Sequence, residues 1–266
     1  MKKIEKGSSW ALVTGASGGI GYCYVKQLAE RGYNIIAVAR PNDGVQEVKV
    51  RVEAEYGVEV FAIEQDLAKT ESAELIYSAV SEAGIAVEVL INNAGVFSYL
   101  DVLDTPVKRL ETILLLHSYT LTMLCRLFGE DMRKAKKGYI LNMSSFSHWI
   151  AFPGLALYTA TKSYIYKFSR ALAKELREDK VVVTVLSPAG VLTDLYGLPK
   201  NLQKVGKNLG ILITPKFCVK RGLKAMFRGK CSVVPDWWNR AFLPIASHLP
   251  NFIVRMTRYY TKGLQK

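Results

Sequence analysis

The chain has 266 residues, half of them hydrophobic, a length normal for a single α/β domain with one large core. Its formal net charge of +13 lies wholly in the last quarter, because residues 199–266 carry 14 Lys and Arg against one acid, Asp236, while the remainder is neutral. This asymmetry predicts an anionic partner (a membrane surface, a substrate or a carrier protein) unless it is only a solvated surface; nucleic acid is disfavoured because no nucleic-acid-binding motif accompanies the charge.

The polar opening, MKKIEKGSS, predicts that no secretory signal is present. No segment approaches the roughly 20 uninterrupted apolar residues of a membrane span. The four cysteines are scattered, with no CxxC pair and no metal-ligand spacing. We therefore expect free thiols, no metal site and a cytoplasmic location.

Apolar runs of strand length alternate with amphipathic stretches as far as Leu186. Strands are predicted at Trp10–Thr14, Asn34–Ala39, Val58–Ile63, Val87–Ile91, Tyr139–Met143 and Val181–Leu186. Helices are predicted from a glycine-rich turn to about Arg31, over 45–56 and 71–83, from Pro106 to about Met132, and from about Leu155 to Arg177. The alternation predicts a doubly wound α/β fold, with a parallel sheet covered on both faces.

The pattern loosens after Pro188. Residues 190–214 mix Gly, Pro, Asn and Leu and are predicted to form a lid over a pocket. A helix over 216–227 and a short strand in CSVVP follow. The basic tail, residues 236–266, is broken by Pro244 and Pro250 and should form short helices. Its apolar and basic residues either lie on an anionic bilayer or pack against the core or a second subunit.

The turn TGASGGIG, between the first strand and the first helix, predicts a dinucleotide site. Glycines at 15, 18, 19 and 21 let the backbone approach a pyrophosphate, which rests at the helix N-terminus. The second strand ends at Arg40, where an NAD site usually has an acid for the adenosine ribose. Arg40 can instead pair with a 2′-phosphate, and Ser17 can add a hydroxyl, so NADP is favoured over NAD.

Ser145, Tyr158 and Lys162 form the candidate catalytic set. Tyr158 and Lys162 are one helical turn apart, so their side chains can share a helix face. A neighbouring ammonium is expected to lower the pKa of a tyrosine from its usual value of about 10, which makes the phenolic proton movable near neutral pH. Such a set suits acid–base chemistry on a carbonyl or carbinol oxygen.

These motifs together resemble the short-chain dehydrogenase/reductase family, over about residues 8–195. TGASGGIG resembles the family's TGxxxGxG turn, and Ser145 with YTATK at 158–162 resembles its Ser and YxxxK. Asp66 in QDL, the NNAG of 92–95 and PAGVLT at 188–193 resemble its adenine-side, sheet-end and nicotinamide-side segments. Residues and resemblance together assign cofactor binding to Gly15, Ser17, Gly18, Gly19, Ile20, Gly21, Arg40, Asp66, Leu67, Asn93, Ala94, Gly95, Tyr158, Lys162, Pro188, Ala189, Gly190, Val191 and Thr193.

The resemblance implies a single Rossmann-like domain over 1–266 and hydride transfer between a nicotinamide and a carbonyl carbon. Tyr158 would donate the proton, Ser145 would position the oxygen, and Lys162 would bind the nicotinamide ribose and lower the pKa of Tyr158. The chain departs from the family at His117, where an Asn usually belongs to a proton relay. His117 substitutes in that relay, is bypassed by water, or is a satisfied interior histidine. Ala189 replaces a usual Gly.

Phe146, His148, Leu195 and Tyr196 are candidates for the substrate pocket, and their apolar character favours a hydrophobic ketone or secondary alcohol. A weaker resemblance of the C-terminal region, to DltE-type oxidoreductases and to 3-ketoacyl or 17β-hydroxysteroid reductases, is consistent with a steroid-like or acyl-chain carbonyl. The family implies a homodimer or homotetramer. Two other functions stay open: a catalytically weak NADP-sensing protein that binds a partner through its tail, and a sugar-nucleotide epimerase.

Overall fold

A seven-stranded parallel sheet forms the centre of the computed structural model, which describes residues 5–193, 195, 200–208 and 210–236. The strand order is β3-β2-β1-β4-β5-β6-β9, and β7 and β8 form a separate parallel pair. The strands are β1 (Trp10–Thr14), β2 (Asn34–Ala39), β3 (Val60–Glu64), β4 (Val87–Asn92), β5 (Gly138–Met143), β6 (Val181–Leu186), β7 (Gly190–Val191), β8 (Leu212–Ile213) and β9 (Ser232–Val233).

Helices connect the strands and cover both faces of the sheet. They are α1 (Gly19–Ala29), α2 (Val45–Tyr56), α3 (Ser72–Glu82), α4 (Val107–Leu114), α5 (Leu121–Lys134), α6 (Ala156–Glu175), α7 (Lys200–Asn208) and α8 (Pro215–Met226). A π-helical turn, Leu115–Thr120, joins α4 to α5, and short 3₁₀ turns lie at Val102–Asp104 and Phe146–Trp149.

Alternate side chains of the strands enter two cores. Ala11 and Val13 of β1 pack with α1, α2 and α8, whereas Leu12 packs with α3, α5 and α6 on the opposite face. All six residues of β2 are buried, as expected for a strand inside a sheet covered on both sides. The predicted single-domain, doubly wound fold is therefore confirmed.

The sheet topology places a crevice at the carboxyl ends of β1 and β4. The chain builds β1, β2 and β3 towards one edge, then returns to the other side of β1 to build β4, β5 and β6. At such a reversal the connections leave in opposite directions, which opens a cleft for a ligand.

Most predicted boundaries agree with the structure within two residues. The third strand is among them, since it begins at Val60 instead of Val58, which belongs to the connection from α2. The long helix after Pro106 contains the π-helical turn, which the sequence did not indicate. The predicted lid contains β7, α7 and β8 among its described residues, and the tail beyond Asp236 lies outside the described residues.

The continuous helix Val107–Lys134 is long and apolar enough, by length and composition alone, to cross a membrane. The helix does not contain the roughly 20 uninterrupted apolar residues considered in the sequence, because polar residues such as His117 and Ser118 interrupt it. Its length and composition have a second explanation, because Leu124, Phe128 and Met132 of α5 are buried against the sheet.

Candidate active site

Two adjoining cavities follow the carboxyl edge of the sheet. The larger has a volume of about 540 Å³ and extends from the glycine turn to Ser145, Tyr158 and Lys162. The smaller, of about 420 Å³, lies over the ends of β2 and β3. Both are bordered by Gly15, Ala94, Gly95 and Val96, so they form one groove across the crevice.

The glycine turn leaves a backbone surface at the start of α1. Gly15 has a φ of +64°, and a Cβ at Gly21 would lie 1.8 Å from the Gly15 carbonyl oxygen. The helix therefore packs on the turn at a distance that only glycine permits. A Cβ at Gly18, by contrast, would meet nothing within 4 Å. This open backbone at a helix N-terminus fits the phosphates of a dinucleotide.

Thr14, which the sequence analysis did not single out, joins the glycine turn to the segment after β4. Its hydroxyl accepts hydrogen bonds from the backbone N–H groups of Asn93 and Ala94, both at 3.0 Å. The Asn93 side chain in turn donates to the Thr14 carbonyl oxygen at 3.0 Å. The position of this threonine, directly before the first glycine, could have indicated its role. A hydroxyl both donates and accepts hydrogen bonds, so it can link the glycine turn to a neighbouring segment.

Arg40 lies at the mouth of the smaller cavity, where its side chain is 67% exposed and paired with Asp43. The Nε–Oδ2 distance is 2.9 Å, and a second contact joins Nη2 to Oδ1 at 3.5 Å. Asp66 and Leu67 border the same cavity, and Asp66 Oδ1 accepts the Ala68 N–H at 3.0 Å. Arg40 can therefore bind an anion in this cavity, and in this structure it forms an ion pair with Asp43.

The remaining predicted cofactor residues divide into two groups. Gly19, Ile20, Asn93, Pro188, Val191 and Thr193 border the larger cavity. Ser17, Gly21, Ala189 and Gly190 border neither cavity. Further bordering residues were not predicted from the sequence: Val96, Met143, Ser144, Leu192 and Gln203 in the larger cavity, and Ala39, Asp43, Gln65, Ala68, Arg109, Thr112 and Leu116 in the smaller.

Ser145, Tyr158 and Lys162 meet in the larger cavity and are all buried. Ser145 follows β5, and its hydroxyl is hydrogen-bonded to Tyr158 and accepts the Ser147 N–H at 3.2 Å. Lys162 Nζ donates to the Met143 carbonyl oxygen at 3.0 Å and lies 5.6 Å from the centroid of the Tyr158 ring. The end of β5 and one face of α6 therefore hold all three side chains.

Burial controls the protonation of this set. It raises the pKa of Tyr158 to about 12, although the hydrogen bond with Ser145 acts in the opposite direction. It lowers the pKa of Lys162 from 10.5 to about 8. The expectation that the ammonium brings the pKa of Tyr158 towards neutrality is not met in this structure, because burial raises that pKa and only Ser145 acts against it. Tyr158 is consequently protonated at neutral pH.

His117 lies in the π-helical turn and is buried beside this set. Its Nε2 accepts the Val96 N–H at 3.1 Å, and its Nδ1 is 3.0 Å from the Thr161 hydroxyl. Burial, with smaller contributions from Lys162 and Arg109, holds the pKa of His117 well below its usual value. The ring is therefore neutral, and both its nitrogens have partners.

Of the three predicted substrate residues that the structure describes, only Leu195 borders the larger cavity. Phe146 is buried against Trp149, with ring centroids 5.5 Å apart. His148 is stacked on Tyr166 at 3.9 Å, and burial lowers its pKa to about 4. Tyr196 lies outside the described residues. Phe146 and His148 thus pack against other aromatic rings, and neither borders the cavity.

Within the described part of the chain, no three His, Cys, Asp or Glu side chains are close enough together to hold a metal ion. The four cysteines are free thiols, two of them fully buried in the cores.

The parallel sheet, the glycine turn and the buried Tyr–Lys pair define a dinucleotide-binding class of oxidoreductase fold. The family model for short chain dehydrogenases matches residues 9–200, so the chain belongs to that family of oxidoreductases.

Three similar proteins illustrate the range of the family. A very-long-chain 3-oxoacyl-CoA reductase of Pyricularia oryzae is 31% identical, over 91% of this chain and 73% of that protein. The human 17-beta-hydroxysteroid dehydrogenase type 3 is 30% identical, over 69% of this chain and 59% of that protein. A solved structure assigned as an NAD(P)-dependent gluconate 5-dehydrogenase of Beutenbergia cavernae, with NADP at low occupancy, is 27% identical. Its TM-score is 0.78, over 89% of this chain and 98% of that one.

Proposed function

We propose that the chain is an NADP-dependent oxidoreductase that interconverts a hydrophobic ketone and the corresponding secondary alcohol. The observation that carries the proposal is the meeting of Ser145, Tyr158 and Lys162 in one cavity that continues to the glycine turn. A proton donor, an oxygen-positioning hydroxyl and an ammonium thereby share a groove with a dinucleotide cradle.

The residues present fit NADP. The open backbone around Gly18 would receive the pyrophosphate, and Arg40 would pair with the 2′-phosphate in place of Asp43 through its planar guanidinium. Lys162 would bind the nicotinamide ribose from the larger cavity. The NADP in the 27% identical structure supports this choice of cofactor.

The bound nicotinamide supplies or accepts the hydride. Tyr158 donates its phenolic proton to the carbonyl oxygen during reduction, since a pKa of about 12 keeps that proton in place at neutral pH. Ser145 donates a hydrogen bond that fixes the same oxygen. Lys162, mostly charged below its pKa of about 8, stabilises the phenolate that Tyr158 leaves behind.

A bulky apolar carbonyl compound is the proposed substrate. Val96, Met143, Val191, Leu192 and Leu195 give the larger cavity apolar walls near Tyr158. Proteins named for a very-long-chain 3-oxoacyl-CoA and for a hydroxysteroid are both about 30% identical to this chain. An acyl-chain or steroid-like carbonyl therefore suits both the walls and the relatives.

We also propose a homodimer or homotetramer in solution and contact between the basic tail and an anionic bilayer. The basic charge supports the second idea, since residues 199–266, which include the tail, hold the whole net charge of +13. Light scattering measures the mass of the particle in solution. Sedimentation with phosphatidylserine vesicles tests the bilayer contact, and recovery of the protein in the supernatant would remove it.

The deciding experiment follows NADPH oxidation with a panel of steroid, acyl-chain and small aliphatic carbonyls. Tyr158→Phe should lower turnover about 10²- to 10⁴-fold and leave the Kd for NADPH nearly unchanged, because it removes only the proton donor. Tyr164→Phe is the matched control: it loses the same hydroxyl from the same helix, where Tyr164 contacts Thr122 and not the cavity.

Undiminished turnover in Tyr158→Phe would refute the catalytic assignment. Tight NADPH binding without turnover of any carbonyl would favour the NADP-sensing alternative. Product analysis separates net oxidation or reduction from epimerisation.

A further inference from the structure

His117 occupies the point where three parts of the site meet. It stands in the π-helical turn between α4 and α5, and its ring reaches both the segment after β4 and helix α6. The ring centroid lies 6.0 Å from that of Tyr158, and the two rings meet edge to face. Any role assigned to this buried side chain has to explain the hydrogen bonds that both of its ring nitrogens make.

The hydrogen bonds around the ring fix a single tautomer. The Thr161 hydroxyl donates its proton to the Tyr158 carbonyl oxygen at 2.9 Å. Thr161 Oγ1 therefore accepts from Nδ1–H of His117 across 3.0 Å, and the Nε2 lone pair accepts the Val96 N–H. Neither nitrogen is left to exchange a proton with Lys162 unless one of these bonds breaks.

The segment that His117 holds is the wall shared by the two cavities. Gly95 and Val96 border both the nicotinamide and the adenosine ends of the groove. A Cβ on Gly95 would lie 3.1 Å from His117 Nε2 and 3.6 Å from Lys162 Nζ, so imidazole, wall and ammonium are in close contact.

Phe97, which follows Val96, also connects this wall to the rest of the site. The Phe97 ring packs edge-on against Tyr158, with centroids 5.1 Å apart. The Phe97 carbonyl oxygen accepts a hydrogen bond from Arg109 Nη2 at 2.6 Å. The wall is thus fastened at Val96 by His117 and at Phe97 by Arg109.

We infer that His117 is a positioning residue: a neutral imidazole that fastens the Gly95–Val96 wall of the cofactor groove to the helix carrying Tyr158 and Lys162, and that passes no proton. The inference rests on the proposed function only for the identity of the cofactor. Burial and the nearby cations of Lys162 and Arg109 keep the ring neutral, as an acceptor at Nε2 requires.

The test compares His117→Phe, which keeps an aromatic ring without nitrogens, with His117→Gln, whose Oε1 can take the place of Nε2. In His117→Phe the Val96 N–H loses its acceptor, so the Kd for NADPH, measured by cofactor fluorescence, should rise at least tenfold. Hydrogen exchange at the Val96 amide should accelerate by a similar factor. His117→Gln should keep both quantities and kcat within about threefold, with the pH profile of kcat unchanged.

A proton relay through His117 predicts the reverse pattern. Glutamine has no titratable nitrogen, so a relay would make His117→Gln lose at least a hundredfold in kcat and shift the pH profile, at an unchanged Kd. That result would overturn the inference, and it does not require His117→Phe to fold. An equal loss of Tm in both variants, with unchanged Kd and exchange, would also overturn it by showing a purely structural residue. Binding and exchange need no turnover, so they can support the inference even if no carbonyl is reduced.

Discussion

The buried ammonium of Lys162 should make the folded protein less stable at neutral pH than it would be without that charge. Burial lowers the pKa of Lys162 from 10.5 to about 8, so the folded chain binds this proton less tightly than the unfolded chain does. A difference of this size corresponds to about 3 kcal/mol of free energy of unfolding. Lys162→Met removes the charge and keeps a long, flexible side chain.

The cost of the ammonium depends on pH with a definite sign. Below pH 8 Lys162 is charged in both states, and the full cost of about 3 kcal/mol is present. Between pH 8 and 10.5 the unfolded state binds more protons than the folded state, so the stability of the wild-type protein rises with pH relative to the variant. Above that window the cost has disappeared.

The substitution also removes the hydrogen bond to the Met143 carbonyl oxygen, a loss of about 1 kcal/mol that does not depend on pH. Lys162→Met should therefore be about 2 kcal/mol more stable than the wild type at pH 7. That advantage should fall by roughly 2 to 3 kcal/mol by pH 10 and so vanish or reverse.

Urea unfolding of both proteins at pH 7, 8, 9 and 10, followed by tryptophan fluorescence, measures this difference. The other titrating groups, including Tyr158, are common to the two proteins and largely cancel. A stability difference that stays constant from pH 7 to pH 10 would refute the reasoning, because it would mean that the folded protein does not perturb the pKa of Lys162.

Two further pairs of substitutions test the cofactor groove. Gly21→Ala places a Cβ 1.8 Å from the Gly15 carbonyl oxygen, so it should lower the Tm by several degrees or prevent folding, whereas Gly18→Ala, with nothing within 4 Å, should leave the Tm unchanged. Equal Tm values for the two variants would contradict the close packing of α1 on the turn. Arg40→Ala should raise the Kd for NADPH about 10- to 100-fold without changing that for NADH, and Asp43→Asn should tighten NADPH binding by a few-fold because it releases Arg40. A parallel change for both cofactors after Arg40→Ala would argue against a 2′-phosphate contact.

The sequence predicted the sheet well because its strands are short, apolar and bounded by turn residues. The predicted strands Trp10–Thr14, Asn34–Ala39 and Val181–Leu186 coincide with β1, β2 and β6. Nearly all of their residues are buried, as expected for parallel strands covered on both sides. The glycine turn could be predicted equally well, because its position between a strand and a helix is determined by the local sequence.

The properties that depend on tertiary packing could not be predicted from the sequence. The pKa of Tyr158 follows from burial, which a spacing of residues does not reveal. His148 was predicted in the substrate pocket, but stacking on Tyr166, 18 positions along the chain, holds it elsewhere. The alternatives for His117 could be compared only once Val96 and Thr161 were seen as its partners.

The π-helical turn makes the length of this helical segment as important as its composition. A π turn accommodates one residue more than the α-helical ladder would, and each α-helical residue turns the chain by about 100°. Deleting a single residue from Leu115–Thr120 would therefore restore a regular α-helical ladder with α5 nearly in its present orientation, so Leu124 and Phe128 would stay in the core. The loss would fall on the turn itself, and we expect such a deletion to displace His117 from Val96 and Thr161 while the fold survives.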